Sequence, residues 1–76
     1  MNEITIDARG LSCPEPVLKT REQILNQEVS EFKILVDSEV ARDNICNQAE
    51  LESFSFSIEN QGEDYLITLK RRKKNG

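Results

Sequence analysis

Apolar and polar positions divide the chain into six elements. Ile4 and Ile6 alternate with Glu3, Thr5 and Asp7, the period of a half-buried strand over roughly 3–8. A loop from Arg9 to Ser12 contains Gly10. Residues 14–28 then carry Val17, Leu18, Ile24 and Leu25 at helical spacing, among good helix formers such as Lys19, Arg21, Glu22 and Gln23. Phe32, Ile34 and Val36 mark a second strand. Asp37 and Ser38 are cap-type residues ahead of a second helix over roughly 39–51, with Val40, Ala41, Ile45 and Ala49 along one side. Phe54, Phe56 and Ile58 alternate with serines and Glu59. A turn at Asn60-Gln61-Gly62-Glu63 leads to Tyr65, Ile67 and Leu69, so the last two strands form a hairpin.

Each strand has one apolar and one mostly polar face, with Leu35 and Leu66 as exceptions. A sheet covered on both sides reads apolar on both faces. This one is covered on one side only. The predicted fold is therefore α/β in the α+β sense: a two-layer βαβαββ sandwich, with a mixed four-stranded sheet and both helices on one face. The core it predicts includes Ile6, Val17, Ile34, Val36, Ile45, Phe56 and Ile67.

Seventy-six residues allow one domain with a modest core. Apolar residues make up 37% of the chain, and with this patterning they favour a globule over disorder. The longest apolar run is Ile34-Leu35-Val36, too short for a membrane span, and the start of the chain has no signal-peptide pattern. The expected location is the cytoplasm, where Cys13 and Cys46 stay reduced. Lys70, Arg71, Arg72, Lys73 and Lys74 hold five of the ten basic residues. Residues 1–69 thus carry 14 acidic against 5 basic side chains, a body that repels phosphate backbones, so no direct nucleic-acid ligand is expected. Charge marks residues 1–70 as the domain and 71–76 as a basic tail or linker.

The chemistry is narrowly bounded. Without histidine there is no Cys-His or Ser-His-Asp system. Two cysteines far apart make no zinc site, and no glycine-rich phosphate loop appears, so neither metal nor cofactor is expected. A cysteine thiol remains. Cys13 stands in Gly10-Leu11-Ser12-Cys13-Pro14-Glu15-Pro16, where the first helix begins. Ser12 as N-cap would complete a capping box with Glu15 but put Pro16 where the first intrahelical donor is needed. Cys13 as N-cap puts Pro14 first and Pro16 third, where a missing N–H costs little. The second register is favoured. It sets the sulfur among first-turn amides, at the positive end of the helix dipole, which lowers a thiol pKa. Taken by itself, this start reads either as a reactive thiolate or as an inert cap fixed by two prolines.

Asp7-x-x-Gly10-x-x-Cys13-Pro14-x-Pro16, closing a first strand, resembles the signature of the TusA-like (SirA/YedF) sulfur-carrier family. The likeness extends over essentially the whole chain, because that family has the same βαβαββ fold. Asp37-x-x-x-x-Arg42-Asp43 resembles its second block. The resemblance implies that Cys13 accepts sulfane sulfur as a persulfide from a cysteine desulfurase or rhodanese. It further implies delivery to a DsrE-like protein or domain, in tRNA thiolation, sulfur oxidation or selenium metabolism. Members acting in tRNA thiolation tend to follow the Arg-Asp pair with a proline and an aromatic residue, where this chain has Asn44, Ile45 and Cys46. Residues 37–44 are closer to the N-terminal domain of YedF-like proteins of selenium metabolism.

The residues around the thiol take supporting roles. Asp7, Pro14 and Pro16 tie and stiffen the loop, and Gly10 supplies a backbone angle that other residues resist. Arg9 and Arg42 are candidates for partner or anion contacts, or plain solvated charges. Cys46 is expected on the partly exposed side of its helix, as a resolving thiol or an incidental one. Two classes of function stand: a persulfide carrier, and a non-catalytic interaction or regulatory domain of a larger sulfur or selenium protein.

Overall fold

The six elements are present, in the expected order, in the computed structural model, which describes residues 4–12 and 14–72. They are β1 (Ile4–Asp7), α1 (Glu15–Leu25), β2 (Glu31–Val36), α2 (Glu39–Leu51), β3 (Phe54–Gln61) and β4 (Asp64–Arg71). The strands form one mixed sheet in the order β1-β2-β4-β3, with β1 parallel to β2 and the other pairings antiparallel. Directly paired residues share a face. Ile4 pairs with Phe32 and Ile6 with Ile34, and those in turn pair with Leu69 and Ile67. The register therefore gathers the apolar positions on one side, where both helices pack and the core closes around Phe32, Ile34, Val36, Ile45, Phe54, Ile67 and Leu69.

Helix boundaries follow local chemistry. α1 stops at Leu25, three residues before its expected end. Asn26 ends it: its side-chain oxygen accepts from the Glu28 N–H and its carbonyl from the Val29 N–H, so a turn displaces further helix. That turn buries Val29. α2 is capped by Ser38, whose hydroxyl accepts from the Ala41 N–H at 3.1 Å. It ends where Ser53 turns left-handed at φ +64°. The hairpin turns on Gly62, at φ +65°, the first residue of a two-residue loop.

Of the positions expected in the core, Ile6 and Val17 are half-buried and pack against it, while Leu18, Leu25 and Val40, which gave the helices their apolar spacing, are exposed. Pro16, Thr20 and Ile24 form the buried side of α1. In α2 the inner side is Ile45, Cys46 and Ala49, and Val40 stands about 140° around the helix from Ile45. Phe56 and Ile58 are 36% and 42% exposed. Their strand, β3, is one of the two edge strands, and helix cover reaches it only at Phe54, so alternation there continues without burial.

The basic run enters the sheet. β4 extends through Arg71, whose guanidinium donates to the carbonyls of Ile24, Asn26 and Val29 at 3.0–3.1 Å. It also lies 4.7 Å from the Phe54 ring centroid. α1 has no basic residue in its last turn, and Arg71 supplies the missing charge from a distant strand.

Candidate functional site

Because β1 and β2 are parallel neighbours, their C-terminal ends and the starts of both helices lie at one edge of the sheet. The N-terminal end of antiparallel β4 arrives at the same edge. Loops at such an edge carry the sites of many open α/β sheets. Here the first loop, between β1 and α1, carries the candidate motif.

The first loop leaves the sheet in steps. The Ala8 N–H still donates to the Leu35 carbonyl at 2.8 Å, and Ala8 itself is buried. Arg9 then folds back on Asp7, with its backbone N–H and Nε donating to Oδ1 and its terminal nitrogen donating to Oδ2 at 2.9 Å. Its other terminal nitrogen reaches Asp64 Oδ2 at 3.2 Å, at the start of β4. These donors hold the Asp7 carboxyl down at about 2, and the two carboxylates push the Arg9 pKa further up. Arg9 is a strap between the loop and the hairpin, with its donors engaged.

Gly10 follows at φ +78°, in the left-handed region. A Cβ there would meet nothing within 4 Å, so glycine is needed for the backbone angle and not for space. Its N–H donates to the Asp37 carboxylate at 2.9 Å, linking the loop ahead of α1 to the loop ahead of α2. Asp37 and Ser38 are both cap-type residues, but only Ser38 caps α2, and Asp37 turns to the first loop. Nothing in the helix pattern signals that long-range bond, because residues 10 and 37 meet only through the parallel register.

Cys13 lies outside the described residues, and its neighbours Ser12 and Pro14 are exposed. The helix begins one residue later than expected: Pro14 is the N-cap, Glu15 the first helical residue and Pro16 the second. The cause is a turn in which the Glu15 N–H donates to the Ser12 carbonyl at 2.9 Å, while the Pro14 carbonyl accepts from the Leu18 N–H. Cys13 in the capping position is thus corrected to the residue immediately before the cap. Proline at the second position still costs no helical bond. Pro16 is buried, and its carbonyl accepts from the hydroxyl of buried Thr20 at 3.0 Å. Unlike α2, α1 has no side-chain cap among the described residues, and the Glu15 carboxylate in its first turn shares the anion-attracting end of its dipole.

Arg42 stands in the first turn of α2. It pairs with Asp43 at 3.0 Å and lies across Tyr65, 4.8 Å from the ring centroid. The pairing pushes its pKa up, so it stays cationic. Arg9 and Arg42 therefore reach consecutive residues of β4, Asp64 and Tyr65. Cys46 is not partly exposed: it is buried against the core, and desolvation, with Asp43 nearby, pushes its thiol pKa up. A protonated, enclosed thiol is a poor nucleophile.

A model of the sulfurtransferase TusA family matches residues 4–71, spanning all six elements. The chain belongs to the TusA family. A solved SirA-like protein from Desulfitobacterium hafniense has the same fold, with a TM-score of 0.79 and 27% identity over 88% of this chain and 95% of that one. TusA-family membership brings with it a general sulfur-carrier or sulfurtransferase role, in which sulfur is relayed to partner proteins. Among the described residues, no helix is long and apolar enough to cross a membrane.

Proposed function

We propose that this TusA-family chain takes up sulfane sulfur, or its selenium counterpart, as a persulfide on Cys13 and relays it to a partner. The observation that carries the reading is the start of α1. Among the described residues it has no side-chain cap, it stands beside the start of α2, and Cys13 immediately precedes its N-cap residue in sequence. A thiolate at such a place is stabilised by amides and dipole together and needs no histidine.

The transfer is a thiol–disulfide-type exchange. The Cys13 thiolate attacks the terminal sulfur of the donor's persulfide, a new S–S bond forms, and the donor's own S–S bond breaks to release its thiolate. Delivery repeats the step, with an acceptor thiolate attacking and Cys13 leaving. Donors in this reading are a cysteine desulfurase or rhodanese, and the acceptor is a DsrE-like protein or domain. The likeness of residues 37–44 to YedF-like domains supports the selenium branch of that chemistry. Arg42 offers a cation to an acidic partner, and Arg9 with Asp7 keeps the loop in place.

Intact-mass spectrometry after incubation with a cysteine desulfurase and cysteine tests this. The carrier gains the mass of one sulfur atom, and a reducing agent removes it. A docking module gains nothing.

A further inference from the structure

The bond between Gly10 and Asp37 completes a pattern. In the β1–β2 ladder Asp7 is opposite Leu35, and the Ala8 N–H donates to the Leu35 carbonyl. A parallel ladder repeats every two residues on each strand, so the next rung would run from the Gly10 N–H to the carbonyl of residue 37. The Gly10 N–H does go to residue 37, but to its carboxylate, at 2.9 Å. The rung is kept while the main chains part: Gly10 turns left-handed toward α1, and Ser38 begins the cap of α2. Arg9 fixes only the residue before this point.

We propose that Asp37 is the positioning residue for the sulfur-bearing loop, its carboxylate replacing the last ladder rung and setting the direction in which the chain leaves the sheet at Gly10. The inference rests on Cys13 being the carrier thiol. Asp37 touches no reacting atom in this account. It acts through Gly10, three residues ahead of Cys13. The dipole's effect falls off within the first turn of a helix, so a loop released at Gly10 loses the stabilisation of its thiolate.

The test compares Asp37→Ala, which removes the acceptor, with Asp37→Asn, which keeps an acceptor oxygen and removes the charge. Three readouts are taken on the full chain: Gly10 amide exchange, iodoacetamide alkylation of Cys13 across pH, and sulfur uptake from a cysteine desulfurase. Thermal melts followed by circular dichroism control for folding. With Asp37→Ala, the Gly10 amide loses protection and the alkylation profile moves to higher pH. Sulfur uptake falls on the order of ten- to a hundredfold, the scale of a misplaced reacting group. Asp37→Asn restores most of all three. An Ala variant with an unchanged alkylation profile overturns the proposal, and so does an Asn variant as impaired as Ala. If wild-type protein takes up no sulfur, the carrier reading fails, and exchange and alkylation still decide the role of Asp37.

Discussion

Asp7 and Arg9 show how a short motif works at the scale of single residues. The Asp7 carboxylate accepts three bonds from one arginine, which lowers its pKa from 3.8 to about 2. A carboxylate with a depressed folded-state pKa adds stability that is fully present above 3.8 and is lost as pH falls through about 2. Arg9 stays charged throughout, so Asp7 alone sets this dependence. Urea midpoints of wild type and Asp7→Asn should differ by a constant amount from neutral pH down to about 4, and the gap should close toward pH 2. A gap independent of pH would show that the ion pair does not stabilise the loop. The spacing Asp7-x-x-Gly10 was visible in the sequence, and so was the need for a special backbone angle at Gly10. What Asp7 and Gly10 bond to was not. Arg9 is two residues away and exposed, like any solvated charge, and Asp37 is brought in by strand pairing.

At the scale of elements, the strand and helix order was legible because period-2 and period-3.6 patterns are written along the chain. The ends were less so, since they depend on side chains turning back on the backbone, as at Asn26 and in the Ser12–Glu15 turn. The end of α1 also depends on Arg71, 45 residues beyond Asn26. Charge alone assigned Arg71 to a tail, whereas its guanidinium is held by carbonyls and the Phe54 ring. Arg71→Ala should cost about 2 kcal/mol in chemical denaturation, the range for charged hydrogen bonds to part-buried acceptors. Arg71→Lys should recover only part of it, because an ammonium has no second nitrogen to bond the Val29 carbonyl and no plane to stack flat on the ring. Equal stability of all three proteins would return Arg71 to the tail.

For the molecule as a whole, the one-sided sheet followed from the polar faces of its strands, and the register confirms it residue by residue. The extent of helix cover did not follow, because two helices cannot shield four strands equally and alternation does not say which strand is the edge. Phe54 and Phe56 make the contrast measurable. Phe54 is fully buried beside Phe32, with ring centroids 6.1 Å apart, whereas Phe56 is 36% exposed. Phe54→Ala should cost about 3–5 kcal/mol, and Phe56→Ala much less. Similar losses at the two sites would mean that the edge is covered after all.

Of the two cysteines, Cys46 is enclosed on the inner side of α2, whereas the residues that flank Cys13 in sequence, Ser12 and Pro14, are exposed, and the proposed carrier role falls to Cys13. The direct measurement is transfer of sulfur-35 from a cysteine desulfurase to wild type, Cys13→Ser and Cys46→Ser, with the label located by peptide mapping under non-reducing conditions and folding checked by circular dichroism. Label is expected on the Cys13 peptide in wild type and in Cys46→Ser, and none in a folded Cys13→Ser. Label on the Cys46 peptide, or label retained by Cys13→Ser, would contradict it.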